Sequence, residues 1–168
     1  MIRPHNVNRV VVEADCSFAE FRDRYESMVP MQDNEKVKAL AASSKSWPEI
    51  VAEVNASTKY GFFIFWKMDA MPIMRVAGHN GECVEYLMGN YTIAERMFKH
   101  EPSVMLYAPL RTLIYTGKAG RTLFAIDQPT TIFDSFDDEA ISKVGKELDD
   151  KVIALLAALG VAHSPFTP

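Results

Sequence analysis

Apolar positions change their spacing twice along this chain, and the changes mark where helix gives way to sheet and back. Val7 to Ala14 is rich in β-branched residues and predicts a strand. Ser17-Phe18-Ala19-Glu20 then matches a capping box, in which the serine hydroxyl accepts from an amide three residues on while the glutamate reaches back. Phe18, Phe21, Tyr25 and Met28 follow at spacings of 3, 4 and 3, so this helix buries one aromatic stripe before Pro30 stops it. Gln32 to Thr58 reads as one short helix and one longer one. The longer opens at Ser46-Trp47-Pro48-Glu49, a second capping box with proline in the first turn, and turns Trp47, Ile50, Val51 and Val54 inward.

From Tyr60 the helical period is lost. Tyr60 to Met68 is nearly continuous aromatic and aliphatic sequence, which predicts a strand buried on both faces or covered by a partner. Met71-Pro72 breaks it, Ile73 to Ala77 is a candidate second strand, and His79-Asn80-Gly81 turns into a third, Cys83 to Met88. Thr92-Ile93-Ala94-Glu95 is a third capping box, predicting a helix with Ile93, Ala94, Met97 and Phe98 inward and Pro102 beyond its end. Val104 to Tyr107 is a candidate short strand. Arg111 to Thr116 and Arg121 to Ile126 form a hairpin around Gly117-Lys118-Ala119-Gly120.

Helical spacing returns after Ser135-Phe136-Asp137-Asp138, a cap whose carboxylates suit the positive end of a helix dipole. Ile141, Val144, Leu148, Val152, Leu155 and Leu159 recur at spacings of 3, 4, 4, 3 and 4, and Gly160 fits the left-handed position past a helix end. With a sheet nearby, this stripe covers the sheet in preference to forming a coiled-coil seam. The expected fold is α+β: an antiparallel sheet centred on Gly61 to Asp127, helices packed mainly on one face, and a long C-terminal helix. Residues 1–160 form one domain in this reading, with 161–168 a loose tail.

Composition narrows the function classes. At 168 residues the chain buries roughly 70% of its unfolded surface, so it needs neither disulfide nor metal to hold a core. The net charge of -4 weighs against nucleic acid as the main partner, since phosphate binding needs a basic face. Cys16 and Cys83 lack CxxC spacing, against a disulfide scaffold or zinc finger. No apolar run reaches the ~18 residues of a membrane span, and Met1 to Asp15 does not read as a signal peptide. The expected compartment is the cytoplasm, and no cofactor is evident.

Three consecutive pieces carry a family resemblance: Tyr86 to Asn90, Ala94 to Ser103, and Leu106 to Arg111. With the Gly61 strand and the Arg121 strand, they resemble the domain-of-unknown-function family 302 over about 60–129. The resemblance implies half of the TATA-box-binding-protein fold, with a curved sheet, and a dimer; it brings no settled activity and, given the acidic balance, no DNA binding. Two positions depart from the family pattern: Tyr91 stands where many members have proline, and Leu110 where many have cysteine.

Candidate chemistry is sparse. His79 and Cys83 beside Glu82 and Glu85 lack a complete ligand set, so no metal is expected. His100, before Glu101-Pro102, serves either as general base or as a charge at a helix C-terminus. Asn90 after Gly89 is a turn residue or a polar anchor. Arg75, Arg96 and Arg111 suit an anionic head group only if they converge. Phe63, Phe65, Trp66, Met68, Met71 and Met74 form an apolar, methionine-rich run fit for a pocket wall or a dimer face. The leading expectation is a homodimer holding a small apolar or amphipathic ligand against the sheet, with Trp66, Met68 and Met74 as anchors and Arg96, His100, Tyr107 or Arg111 at the rim. An enzyme using His100 as acid or base with Tyr107 or Arg111 is the alternative, and a structural or regulatory dimer the third reading.

Overall fold

The computed structural model describes residues 2–161; the expected loose tail lies, from residue 162 on, outside the described residues. Strand β1 (Arg9–Ala14) leads to α1 (Phe18–Met28), α2 (Asn34–Ala42) and α3 (Trp47–Ala56). Then come β2 (Phe63–Asp69), α4 (Met71–Val76), β3 (Cys83–Gly89) and α5 (Tyr91–Phe98). After a 3-10 turn at Pro102–Leu106, β4 (Leu110–Thr116) and β5 (Thr122–Asp127) form the hairpin, and α6 (Pro129–Phe133) and α7 (Glu139–Ala158) close the chain. The strands make one open antiparallel sheet in the order β1-β5-β4-β3-β2.

Alternation divides the sheet into two faces. Val10, Val84, Tyr86, Met88, Ile114, Phe124 and Ile126 point to a core completed by Phe21 and Tyr25 of α1 and by the whole α7 stripe, Ile141 through Leu159. The Tyr25 ring lies 4.9 Å from Tyr86 and 6.0 Å from Phe124, and its hydroxyl meets Thr112 Oγ1 at 3.0 Å. The opposite face carries cross-strand ion pairs, Arg9–Asp127 and Arg111–Glu85, together with exposed Val11, Trp66 and Met68. The α+β architecture with its long C-terminal helix is therefore as the spacing predicts.

Several elements differ from expectation for identifiable reasons. Ile73 to Ala77 is not a strand: Met71–Val76 is helical, with Pro72 in the first turn, where a missing N–H costs nothing, and Asp69 Oδ1 accepting from Met71 N at 2.8 Å. A five-residue segment is too short to show a period that separates helix from strand. Val104 to Tyr107 is likewise not a strand but part of the 3-10 turn, started by Glu101 Oε1 accepting from Ser103 N at 3.0 Å. Helix α5 starts at Asn90 rather than Thr92, since the asparagine oxygen accepts from both Thr92 N (2.9 Å) and Thr92 Oγ1 (2.8 Å). Helix α7 is capped by Asp138, which accepts from Ala140 N and Ile141 N, while Ser135 sits in a preceding 3-10 turn.

The apolar run from Tyr60 is not doubly buried along its length. It becomes an edge strand. Phe63 and Ile64 are buried, a bulge between Ile64 and Trp66 shifts the register, and Trp66 and Met68 are 42% and 41% exposed on the ion-paired face. The bulge leaves Phe65 unpaired and half-buried at the end of the sheet, which is what brings it to the site described next.

Candidate functional site

Where β3 ends, Gly89 lets two other pieces of chain approach. A Cβ there would lie 3.0 Å from Pro109 Cβ, 3.2 Å from Pro109 Cα and 3.4 Å from Phe65 Cε2. The absence of that carbon brings the start of β4 and the bulge of β2 against the β3–α5 junction. Asn90 fixes the junction: its oxygen caps α5 and its amide donates to Gly61 O at 3.0 Å. These contacts explain the side chain as a structural one and leave its oxygen fully used.

Beside this junction is a cavity of about 210 Å³. The inner wall is Phe62, Ile93, Met97, Leu110, Phe133 and Leu148, drawn from the β2 approach, α5, β4, α6 and α7. The mouth is formed by Phe65, Tyr91, Met105 and Pro109. The lining is almost wholly apolar, and no charged side chain contributes to it. At the mouth the Phe65 and Tyr91 rings meet edge to face, 4.8 Å between centroids and 82° between planes. Tyr91 and Met105 are 41% and 46% exposed, so the mouth is open to solvent. Tyr91 and Leu110, the two departures from the family pattern, both face this cavity.

The seven residues singled out from the sequence lie elsewhere. Trp66 and Met68 are on the open sheet face, and Met74 is half-exposed on α4. Arg96 makes a two-pronged pair with Glu147 of α7, at 2.7 and 2.9 Å, which holds the Glu147 carboxyl below its ordinary range. Arg111 pairs with Glu85 at 3.0 Å, and Arg75 with Glu82 at 2.9 Å. The three arginines thus serve three separate carboxylates and do not converge. His100 Nδ1 is 3.8 Å from Asp138 Oδ2 across the α5 and α7 ends. Tyr107 lies instead against His5 and Phe136, with ring centroids 6.1 and 6.2 Å away. Neither a hydrogen bond nor an ion pair joins His100, Tyr107 and Arg111 among the described residues.

The remaining candidates carry no reactive signature. Burial pushes both the Cys83 and the Cys16 thiols up, with Glu85 and Glu20 adding to the respective shifts, so neither is predisposed to form thiolate. Among the described residues no three His, Cys, Asp or Glu side chains are grouped to hold a metal, and no helix is long and apolar enough to cross a membrane. Phe65, from the run read as a pocket wall or dimer face, does line the cavity, whereas Met97, Met105 and Pro109 were not sequence candidates. The signal that pointed toward them was Gly89-Asn90 between two apolar segments, whose meaning depends on which distant chain approaches the glycine.

A family model described as "Domain of unknown function DUF302" matches residues 39–159. Among solved structures, the chain is similar to the uncharacterized conserved protein DUF302 from Bacillus stearothermophilus, with a TM-score of 0.63 and 16% identity. The alignment covers 89% of this chain and 95% of that one, a likeness of fold. No curated protein matches the chain. The family match extends over well over half of the sequence and takes in every strand except β1, so the chain belongs to the DUF302 family.

Proposed function

We propose that this protein is a homodimeric binding protein that takes a small apolar molecule into the cavity between β2, β3 and α5. The observation that carries the reading is the cavity itself: about 210 Å³ of apolar space reaching from a solvent-open mouth to the buried core. Protein interiors ordinarily leave few voids larger than a water molecule, and an apolar cavity of about 150 Å³ stays dry and accepts benzene. Water gains little here, because a site holds water only where two to four polar partners converge. An amphipathic ligand fits with its apolar part inside and its polar end at the mouth, beside Tyr91.

The dimer is supported by a different region. Trp66, Met68, Ile73, Met74 and Val76 are large apolar side chains left 41% to 83% exposed on two consecutive elements, β2 and α4. Such a concentration marks an interaction surface more often than a solvated one. In this reading Trp66, Met68 and Met74 serve the subunit contact, while the cavity serves the ligand.

Native mass spectrometry and denaturing extraction of the purified protein test the ligand. Ala94, which lines the cavity, gives the matching variant: Ala94→Leu fills space without adding charge. The expected result is a retained or added apolar compound that raises Tm in the native protein and not in Ala94→Leu. A native protein that retains nothing and shows no shift across a panel of small hydrocarbons and aromatic alcohols overturns the reading.

A further inference from the structure

We infer that the molecule taken into this cavity is an uncharged planar aromatic of one or two fused rings, selected by the Phe65–Tyr91 pair and the two methionines. The inference rests on the cavity being a ligand site, and it names the class of ligand. Four of the lining side chains are aromatic: Phe62, Phe65, Tyr91 and Phe133. They come from three separate segments of the chain, β2 with its approach, α5 and α6, so rings face the cavity from more than one direction. A bound ring can therefore make edge-to-face or offset contacts that a saturated molecule of equal area cannot. Met97 lies in the inner wall and Met105 at the mouth, and each offers a polarizable sulfur for the edge of a ring.

Charge and size set the other limits. Arg96 and Arg111, the nearest cations in sequence to the lining, are held by Glu147 and Glu85 and contribute nothing to the wall. A carboxylate inside would be desolvated without a partner, which an apolar site does not tolerate. At about 210 Å³ the space exceeds the roughly 150 Å³ that admits benzene and suits one ring with a short substituent or two fused rings. Tyr91 is the adjustable part of the mouth. It is 41% exposed, and its hydroxyl makes no hydrogen bond among the described residues, so the ring is held by Phe65 packing rather than by a polar tether.

Toluene and methylcyclohexane separate these arguments, because they share size and neutrality and differ in the ring's π-system. Area alone favours the saturated compound, which presents more apolar surface. With methyl-labelled methionine in the full chain, titration is followed at the Met97 and Met105 methyl resonances. Toluene is expected to shift both and to bind about fivefold tighter than methylcyclohexane, benzoate to shift neither, and Tyr91→Ala to bring the two hydrocarbons within about twofold. Methylcyclohexane binding as tightly as toluene overturns the aromatic class and leaves an apolar ligand site standing, and benzoate binding as tightly as toluene overturns the restriction to uncharged molecules. A preference unchanged in Tyr91→Ala overturns the selecting role of that ring. If no hydrocarbon moves either methyl, the ligand-site reading fails together with the inference.

Discussion

A hydrogen in place of a methyl at Gly89 lets Pro109 and Phe65 close over the end of β3. Replacing a strand glycine by alanine ordinarily stabilises by about 0.4–1 kcal/mol through the unfolded chain. Here the added carbon meets Pro109 backbone and side chain at 3.2 and 3.0 Å, and backbone cannot turn aside. Overpacking costs about 1–3 kcal/mol, so steric crowding wins: Gly89→Ala is expected to lower the urea midpoint by the equivalent of about 1–2 kcal/mol with an unchanged m-value. Two tyrosines set a second expectation. Burial, opposed by a hydrogen bond from Thr112, pushes the Tyr25 hydroxyl up; burial together with the nearby Glu26 carboxylate pushes Tyr86 up. Tyr86 donates to Glu26 Oε1 at 2.8 Å, and Lys67 holds the same carboxylate. A raised pKa means that the folded chain keeps protons that the unfolded chain releases. The contribution is therefore full below pH ~10 and is lost as pH rises from there toward the folded values, at up to about 1.4 kcal/mol per pH unit for each tyrosine. Chemical denaturation from pH 9 to 11 should show the Tyr86→Phe slope shallower than that of the native protein; equal slopes would contradict the shift.

Legibility differs between elements because the controlling forces differ. Helix α7 was readable along its stripe though not at its cap, since six apolar residues at helical spacing are enough to specify one buried face, and all six are buried. The β4–β5 hairpin was readable because its turn residues and both strands are local. Helix α6 and the 3-10 turn before β4 were not, since segments of five residues carry no periodicity and take their shape from what they pack against. The cavity belongs to this second kind. Phe65 faces it because of a bulge, and Met105 because of a short turn, and neither is written in spacing. The α6–α7 contact is another case. Asp149 faces inward from α7 and accepts from Gln128 Nε2 at 2.8 Å, Thr130 N at 3.0 Å and Thr130 Oγ1 at 2.6 Å. Gly145, one turn earlier, lets Phe133 and Thr130 approach so that an added Cβ would lie 3.1 and 3.2 Å from them, tighter than most such contacts. Removing the carboxylate strands these partly buried donors, each worth about 1–3 kcal/mol when unsatisfied. Asp149→Ala should lower stability by about 3 kcal/mol, read from the denaturant midpoint, and should expose the amide of Thr130 to faster hydrogen exchange.

The sheet is covered by helices on one side only, and this asymmetry determines how the whole molecule meets its surroundings. The open face is kept soluble over β1, β5 and β4 by Arg9–Asp127, Arg121–Glu13 and Arg111–Glu85. Those pairs stop short of the outer end of the sheet: β2 presents Trp66 and Met68, and α4 presents Ile73, Met74 and Val76, the last 83% exposed. Partial protection of the edge comes from Met31, which bridges Ile64, and from Lys67, whose charge is drawn inward to Glu26. An interface there would join identical patches about a two-fold axis, with each protomer supplying its own Trp66 and Val76. Standard interfaces bury about 800 Å² per partner around a few aromatic anchors, and Trp66 is the aromatic ring of this group. The expected outcome is a dimer in native mass spectrometry and sedimentation at low micromolar concentration, converted to monomer by Val76→Glu or Trp66→Lys without loss of far-UV circular dichroism. Since both residues lie outside the cavity lining, ligand retention should survive either substitution. A native protein that sediments as a monomer at tens of micromolar would remove the dimer from the proposal and leave the cavity as its sole content.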